Sequence, residues 1–347
     1  MDRRRLLAGL LAAPLALAAC SRATADPAPA LGPLPPLKSL APFPLGVAAM
    51  TEQFDDPDWN ALVLANFDRI TPEWEMKAES MIDAEGRADW TRADRITGQA
   101  AERGLKTFGH TLVWYEQVPV TLQRLDGDRA RFAAAYRDYV TGVAGRYAGR
   151  VVGWDVVNEA LADDGSGVRM RNGFAANLGA DYIRLAFEHA READPHAVLL
   201  LNDYNLEQLP AKRRDFLRLA ESLLNAGAPL GGLGTQTHVP ADLPAGAIKA
   251  CIADLAGLGL PVHVSELDVS LTRAHGPARQ AAIVGETVDA VMALPAAQRF
   301  GITVWGARDR DSWLNRANRG ADAPLLFDDR GRPKALAQAL VNALHAP

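Results

Sequence analysis

Two short apolar runs in this chain end in carboxylates. The run from Val151 to Asn158 is rich in β-branched and aromatic residues, is too short for a comfortable helix, and is followed by Glu159. This pattern predicts a strand buried on both faces. A second run begins at Pro261 and carries Glu266 at its end. Because a carboxylate removed from water is unfavourable unless hydrogen bonds or chemistry compensate, we interpret the two glutamates as functional residues.

Similar apolar runs recur along the chain and alternate with helical patterns. The runs span residues 45–49, 67–71, 105–114, 151–158, 197–201, 232–238, 261–266 and 301–305. Between them, apolar residues repeat at three and four positions in Ala130–Val140, Asp181–Arg191 and Lys212–Leu224, which predicts amphipathic helices. Strands that alternate with helices form parallel sheets through right-handed crossovers. Eight such units favour a closed (β/α)8 barrel, in the α/β class, over an open sheet, as one domain across residues 45–347.

Polar and aromatic residues stand at the ends of the predicted strands. In a barrel of this kind, the active site is built from the carboxyl ends of the strands and the loops that follow them. One such residue, for instance a single histidine, is often only structural, but a polar ending on nearly every strand indicates a site. The residues concerned are Glu73, Lys77, His110, Trp114, Gln117, Asn158, Glu159, Tyr204, Gln236, His238, Glu266, Asp268 and Trp305.

Two glutamates at one barrel mouth are typical of glycoside hydrolysis, in which one carboxylic acid protonates the leaving oxygen and the other attacks the anomeric carbon. We predict that Glu159 is the acid/base and Glu266 the nucleophile. His238 and Gln236 are expected to hydrogen-bond Glu266 and keep it ionised, while Asp268 orients His238.

Sugar contacts are expected from side chains around these glutamates. The amide of Asn158 is placed to donate to a sugar 2-hydroxyl group. Trp114, Trp305 and Trp313 offer flat apolar faces for the C–H faces of a pyranose, although core filling is the alternative role for any tryptophan.

Composition and motif spacing disfavour other classes of function. The 347 residues carry a net charge of -5, and no basic stripe follows the N-terminus, so a nucleic-acid partner is not expected. The histidines on separate predicted strands lack the HxH or HExxH spacing of metal sites, which leaves a metal hydrolase as a less favoured alternative. Neither a Gly-x-Gly-x-x-Gly nor a Walker loop follows a predicted strand, so we expect no cofactor and no metal. Cys20 and Cys251 do not make a disulfide framework.

The N-terminal residues have the pattern of a targeting segment. Arg3–Arg5 precede a 14-residue apolar stretch, Leu6–Ala19, which is the pattern of an export signal and is too short to span a bilayer. The arginines resemble a loose twin-arginine signal, and Leu17–Cys20 resembles a lipobox, which predicts lipidation at Cys20; ordinary cleavage after Ala25 is the alternative. We assign residues 1–22 to the signal and residues 23–44, rich in proline and alanine, to a tether. The expected location is the periplasm or cell envelope, with membrane contact through the lipid anchor alone.

Seven ordered motifs give the chain a family resemblance. They are Thr-Pro-Glu-x-Glu-Met-Lys from Thr71, Gly-His-Thr-Leu-Val-Trp from Gly109, Trp-Asp-Val-Val-Asn-Glu-Ala from Trp154, Asn-Asp-Tyr-Asn from Asn202, Gln-Thr-His from Gln236, Ser-Glu-Leu-Asp from Ser265 and Thr-Val-Trp-Gly from Thr303. In this order they resemble glycoside hydrolase family 10, the retaining endo-1,4-β-xylanases, from about Leu45 to Leu344.

The resemblance implies the same barrel and the same roles for Glu159 and Glu266. It also implies a xylan or xylo-oligosaccharide substrate. The xylose contacts that it implies are Glu73, Lys77, His110, Trp114, Gln117, Asn158, Tyr204, Gln236, His238, Trp305 and Trp313.

Three departures from the family pattern concern substrate binding. Trp74 stands where the family has asparagine, and Ala78 replaces the tryptophan usual after the lysine. Tyr115 replaces a common histidine, and Arg308–Asp309 replace the usual Thr-Asp after the last strand. We therefore expect altered binding on the glycone side, with weaker binding of plain xylan or a preference for decorated or shorter chains.

The sequence leaves two other functions open. One is a retaining glycosidase for another β-1,4-glycan, and the other is a non-catalytic surface protein that binds glycans. The presence of both glutamates argues against the second, since a binding protein has no use for two crowded carboxylates. We expect the protein to be a monomer.

Overall fold

The computed structural model describes residues 32–271, 275–316 and 322–345. The predicted export signal, the predicted lipidation site at Cys20 and the first part of the predicted tether lie outside these ranges. Within the described ranges, no helix has both the length and the apolar character needed to cross a lipid bilayer.

The described residues form one parallel sheet of nine strands. The strands are β1 (Leu45–Ala49), β2 (Arg69–Pro72), β3 (Lys106–Trp114), β4 (Val151–Asn158), β5 (Val198–Asp203), β6 (Gly232–Thr235), β7 (His238–Pro240), β8 (Val262–Ser270) and β9 (Arg299–Val304). The sheet closes on itself because β1 pairs with both β2 and β9, and β6 pairs with β8. The predicted (β/α)8 barrel, including its first strand, is confirmed.

The run predicted as one strand over residues 232–238 is two strands. β6 closes the barrel, whereas β7 pairs only with the far end of β8, where His238 lies opposite Asp268. Thr237 separates them with a left-handed backbone, φ 58°. The buried carboxylate of Glu207 accepts hydrogen bonds from the hydroxyl groups of Thr235 and Thr237, at 2.6 and 2.7 Å, and so stabilises the break. The pattern of apolar residues carries no signal for this break.

Helices surround the barrel, and this is why its strands are buried on both faces. The helices are α1 (Pro57–Asn66), α2 (Ala78–Met81), α3 (Thr91–Glu102), α4 (Val120–Gln123), α5 (Arg129–Arg146), α6 (Gly173–Leu178), α7 (Asp181–Ala193), α8 (Pro210–Asn225), α9 (Ala247–Ala256), α10 (Pro277–Met292), α11 (Trp313–Arg316) and α12 (Ala335–Leu344). The three helices predicted from periodicity correspond to α5, α7 and α8.

Residues 37–44 pack against the barrel, so the predicted tether is too long at its C-terminal end. The side chains of Leu37 and Phe43 are buried. The backbone N–H of Leu37 donates to Asn66 Oδ1 at 3.1 Å, and Lys38 Nζ donates to the Leu64 carbonyl at 2.6 Å. The many prolines suggested an extended segment, but the two large apolar side chains gain more by packing beside α1 and β1.

Left-handed backbone conformations mark the carboxyl ends of consecutive strands. Among the described residues other than glycine, Glu159, Asn205 and Thr237 have positive φ angles of 58°, 59° and 58°. They follow β4, β5 and β6 in turn. Such conformations are unfavourable for residues with a Cβ and tend to occur where a side chain must be aimed at a site. The fold therefore concentrates backbone strain at the end of the barrel that carries the glutamates.

Candidate active site

Glu266 lies in the middle of the buried strand β8 and is only 4% exposed. One of its carboxylate oxygens accepts from Asn202 Nδ2 at 3.0 Å, and the other from His238 Nε2 at 3.2 Å. Burial raises the pKa of Glu266, but the nearby His110, His238 and Lys77 outweigh it and hold the pKa below its ordinary value. Glu266 is therefore kept as a carboxylate, which is the form a nucleophile needs.

His238 connects Glu266 to a second carboxylate. Its Nδ1 lies 2.8 Å from Asp268 Oδ2, which also accepts from Trp313 Nε1 at 2.9 Å. Burial lowers the pKa of His238, but Asp268 and Glu266 outweigh it and raise the pKa to about 10. At neutral pH His238 is thus an imidazolium that donates from both nitrogens. This is the arrangement predicted from the sequence for His238 and Asp268.

Glu159 follows β4 and is held by donors from β3, from β4 and from the break between β6 and β7. Its carboxylate accepts from Trp114 Nε1 at 2.8 Å, from Asn158 Nδ2 at 3.0 Å and from Gln236 Nε2 at 2.9 Å. Its backbone N–H donates to the Asn202 carbonyl at 2.8 Å. The prediction that Gln236 bonds Glu266 is wrong, because the break after β6 turns this side chain towards β4.

Two asparagines join the two glutamates. Asn202 Nδ2 donates both to Glu266 and, at 2.9 Å, to Asn158 Oδ1, while Asn158 donates to Glu159. Asn202 is fully buried, and its own Oδ1 accepts from Ser265 Oγ at 2.7 Å. No role was predicted for Asn202, although an amide that directly follows an apolar strand was the available signal.

A buried histidine and aspartate lie below Glu266. His110 Nδ1 is 2.9 Å from Asp155 Oδ2, and ligand-type atoms of His110, Asp155 and Glu266 lie within 4.8 Å of one another. Burial raises the pKa of Asp155 to about 6 against the opposing effect of His110. Hydrogen bonds already engage one nitrogen of His110, one oxygen of Asp155 and both oxygens of Glu266, so we interpret the three groups as a hydrogen-bonded network. The absence of a metal site stays a prediction.

The segment after β2 carries the residues expected on the glycone side. Lys77 Nζ lies 4.7 Å from the ring centroid of Trp114 and 5.7 Å from that of Trp74. Glu73 forms an ion pair with Arg316 of α11. Burial raises the pKa of Glu73, and Arg316 opposes this effect. Arg316 was not predicted, because no sequence pattern links positions so far apart.

Trp74 is exposed, yet its neighbour anchors the segment firmly. The Trp74 side chain is 40% exposed. The following residue, Glu75, is fully buried and accepts from the Thr51 N–H at 2.6 Å and from the Thr51 hydroxyl at 2.7 Å. The backbone of the segment is thus fixed, while the indole of Trp74 faces solvent.

Trp305 and Gln117, two more of the predicted sugar contacts, are both buried. Trp305 is buried with its ring centroid 5.3 Å from that of His110 and 6.0 Å from that of His238. Gln117 is buried, and its Oε1 accepts from the Glu79 N–H at 3.1 Å, so it supports the loop that carries Lys77.

Tyr204 is fixed by charged neighbours. Its hydroxyl donates to Asp163 at 2.8 Å, and the ammonium of Lys212 lies 3.5 Å from its ring centroid. Lys212 is itself buried between Asp163 and Asp203, at 2.9 and 2.8 Å. Tyr204 is thus held just after β5 by Asp163 and Lys212.

The unusual Arg308–Asp309 pair has a structural role. Arg308 is buried and bonds Asp311 and, at 2.8 Å, Asp56 at the start of α1. Asp309 pairs with Lys334 at 2.9 Å. These bonds tie the loop after β9 to α1 and to the segment before α12.

Comparison with known proteins decides the family. The model of glycosyl hydrolase family 10 matches residues 38–343, which is nearly all of the described chain. The chain belongs to this family. Endo-1,4-beta-xylanase A of Cellvibrio japonicus (strain Ueda107) is 36% identical over 345 residues, covering 89% of this chain and 56% of that protein. Exoglucanase XynX of Acetivibrio thermocellus is 34% identical over 312 residues, covering 84% and 28%.

Solved structures of xylanases agree with the fold. A thermostable mutant of a xylanase (Xyn10A) from Cellvibrio japonicus superposes with a TM-score of 0.82 at 36% identity, covering 89% of this chain and 99% of that one. A mutant of xylanase A from P fluorescens subsp. cellulosa, in complex with xylopentaose, gives a TM-score of 0.82 at 35% identity, covering 89% and 100%. The chain spans about half the length, or less, of the two curated relatives named above.

Proposed function

We propose that this family 10 protein is a retaining endo-1,4-β-xylanase that cleaves xylan or xylo-oligosaccharides through Glu159 and Glu266. One observation carries the proposal: two glutamates at one barrel mouth are linked by Asn202 and Asn158, and the buried one is held as a carboxylate. The xylanase names of relatives and the xylopentaose complex of one of them support the choice of substrate.

The mechanism assigns a different task to each glutamate. Glu266, ionised beside His238, attacks the anomeric carbon as the glycosidic bond breaks, and Glu159 gives its proton to the leaving oxygen. A glycosyl–enzyme ester then forms on Glu266. Glu159, now a carboxylate, takes a proton from water, and the water displaces Glu266 with a second inversion at the same carbon.

The proposal is tested by product analysis with wild type, Glu159→Ala and Glu266→Ala. We expect β-configured xylo-oligosaccharides from wild type, seen by NMR before mutarotation. Glu266→Ala should lose activity by about 10⁴-fold or more. Glu159→Ala should lose about 10²–10⁴-fold and, on a substrate with a good leaving group, recover with azide and yield a β-glycosyl azide. Products that first appear in the α configuration would contradict retention.

A second candidate function is supported by one relative. The match to Exoglucanase XynX covers 84% of this chain, so a β-1,4-glucan is the alternative substrate. Parallel assays on xylohexaose and cellohexaose decide between them. Activity on cellohexaose alone would replace the xylanase proposal, and binding of either chain without hydrolysis would favour a non-catalytic glycan-binding protein.

We further propose that Trp74 alters substrate choice on the glycone side. A half-exposed indole beside the ammonium of Lys77 offers an apolar platform where an amide would offer hydrogen bonds. Such a platform favours a substituted or shorter chain over an unsubstituted one.

We also propose that the protein is exported, lipidated at Cys20 and monomeric. The support for export and lipidation is the sequence pattern of residues 1–22. Labelled palmitate should be incorporated in wild type and lost in Cys20→Ala; label that persists in the variant would contradict lipidation. Light scattering should give the mass of one chain, and a dimer mass would contradict the monomer.

A further inference from the structure

A positive charge is buried inside the barrel, below the two glutamates. Arg69 of β2 is 3% exposed. Its guanidinium donates to the Phe300 carbonyl at 3.3 Å and contacts His263 Nε2 at 2.9 Å, and it lies 4.7 Å from the ring centroid of Phe300. Among the described residues, no carboxylate oxygen lies within the 4.0 Å of an ion pair with it. A buried charge without a close counter-ion is very unfavourable, so its retention calls for an explanation.

The barrel makes room for this side chain. A Cβ at Gly301 would lie 2.7 Å from Arg69 Nη2, and a Cβ at Gly46 would lie 3.2 Å from Arg69 Cγ and Nε. These glycines belong to β9 and β1, which pair with each other beside β2. The space around the guanidinium is thus built by the two strands at the closure of the barrel.

The next layer towards the glutamates contains a carboxylate with a free oxygen. Asp155 is 1% exposed, and its Oδ2 is engaged by His110, whereas its Oδ1 has no hydrogen-bonding partner among the described residues. Phe108, whose ring lies 5.7 Å from the Arg69 guanidinium, is two positions before His110 on β3. In the pairing of β3 with β4, His110 lies opposite Asp155. Asp155 therefore lies beside His110, closer to Glu266 along the barrel than Phe108 and the guanidinium packed against it.

We propose that Arg69 is a positioning residue for catalysis: its buried charge keeps Asp155 ionised, so that Asp155 can hold His110 beside the Glu266 carboxylate. The proposal rests on the role of Glu266 proposed above. Arg69 acts through Asp155 and His110 and touches neither glutamate.

The charged and titratable groups around this network are few. Arg69 faces Asp68, Asp155 and His263, and burial together with Arg69 lowers the pKa of His263, so this ring is neutral and supplies no counter-charge. Burial lowers the pKa of Arg69 to about 10, with Asp68 and Asp155 opposing, so the guanidinium stays charged at neutral pH.

Asp155 faces a different set of charges. They are His110 from β3, Arg69 from β2 and Glu266 from β8. Burial and Glu266 raise the pKa of Asp155, while His110 and Arg69 lower it, which leaves it at about 6. Removal of Arg69 therefore raises the pKa of Asp155. The protonated Asp155 is a weaker hydrogen-bond acceptor for His110, so His110 is held less firmly beside Glu266.

The test combines a titration with a pH profile in Arg69→Met and Arg69→Lys. Carbon-13 NMR of labelled aspartate carboxyls, assigned with Asp155→Asn, should show an Asp155 midpoint near 6 in wild type. The midpoint should rise by about one pH unit in Arg69→Met and by much less in Arg69→Lys. In Arg69→Met, the acidic limb of kcat should move to higher pH by about the same amount, with KM unchanged. The control variant Arg87→Met, at an exposed arginine, should leave the pH profile unchanged.

Two results would overturn the proposal. One is an Asp155 midpoint that does not move in folded Arg69→Met. The other result does not require Arg69→Met to fold. It compares Arg69→Gln in wild type with Arg69→Gln in Asp155→Asn, and an equal shift of the acidic limb of kcat in both would overturn the proposal. A purely structural arginine would change the melting temperature in both backgrounds without moving the limb in either. Because the NMR midpoint requires no hydrolysis, inactivity on xylan would count against the proposed function and not against this inference.

Discussion

The surroundings of Glu266 and the segment Glu73–Lys77 lie at the same end of the barrel, yet they are built differently. Both carboxylate oxygens of Glu266 accept hydrogen bonds from protein donors that are themselves held by other residues. In the second region, the backbone is anchored through Glu75, but the largest side chain, Trp74, is 40% exposed. The protein thus fixes Glu266, the proposed nucleophile, through internal hydrogen bonds and leaves Trp74, the proposed substrate contact, at the surface.

The largest effect is expected from Asp268→Asn, which removes the charge that holds His238 beside Glu266. Without the Asp268 charge, Glu266 alone opposes burial, and the pKa of His238 falls from about 10. His238 then loses its proton at a lower pH than in wild type, and above that pH Glu266 lacks a charged donor. We expect kcat to fall about 10- to 100-fold at pH 8, as for the loss of a charge-assisted hydrogen bond. The alkaline limb of the pH profile should move to lower pH.

This result has its own control. Trp313→Phe removes the other donor to Asp268 but keeps its charge, so the alkaline limb should stay close to that of wild type. An Asp268→Asn variant with an unshifted alkaline limb would show that His238 does not depend on Asp268 for its charge.

An intermediate effect is expected from Glu75→Ala, which releases the backbone of the second region. The variant leaves the N–H and hydroxyl of Thr51 without their acceptor, which costs about 1–3 kcal/mol of stability. Because Glu73, Trp74 and Lys77 then lose their fixed positions, KM should rise about three- to tenfold with a smaller change in kcat. Calorimetry and steady-state kinetics on xylohexaose measure both quantities. An unchanged KM in the destabilised variant would show that the segment does not bind substrate.

The smallest effect is expected from Trp74→Asn, which leaves the backbone in place. The ratio of kcat/KM on decorated to plain xylo-oligosaccharides should fall about three- to tenfold, as expected for the loss of one aromatic platform. The matched control is Met170→Ala, since Met170 is the other large apolar side chain with high exposure, 49%, among the described residues. If kcat/KM on xylohexaose and on decorated oligosaccharides is unchanged in Trp74→Asn, the proposed role of Trp74 is wrong.

The sequence predicted those features that depend on a single strand. Apolar runs identified the barrel strands, and the polar residue at the end of a run identified Glu159 and Glu266. The His238–Asp268 contact was also accessible, because the residues end neighbouring predicted strands.

Contacts that depend on strand offset or on distant loops were not predicted. The break at Thr237 turns Gln236 from Glu266 to Glu159, and it depends on a buried carboxylate from another segment. Arg69 stood inside a predicted strand, but only the closed barrel shows that its side chain points inward between two glycines.

The contact between Arg308 and Asp56 has a consequence for synthesis of the chain. It joins positions 252 residues apart, next to the pairing of β1 with β9. At ribosomal speeds, roughly 13 to 50 s separate the appearance of the two residues. During this interval β1 has β2 on one side and an open hydrogen-bonding edge on the other. Nascent chains arrested before β9 should therefore be the species most dependent on chaperones, since an unpaired buried strand is a template for aggregation.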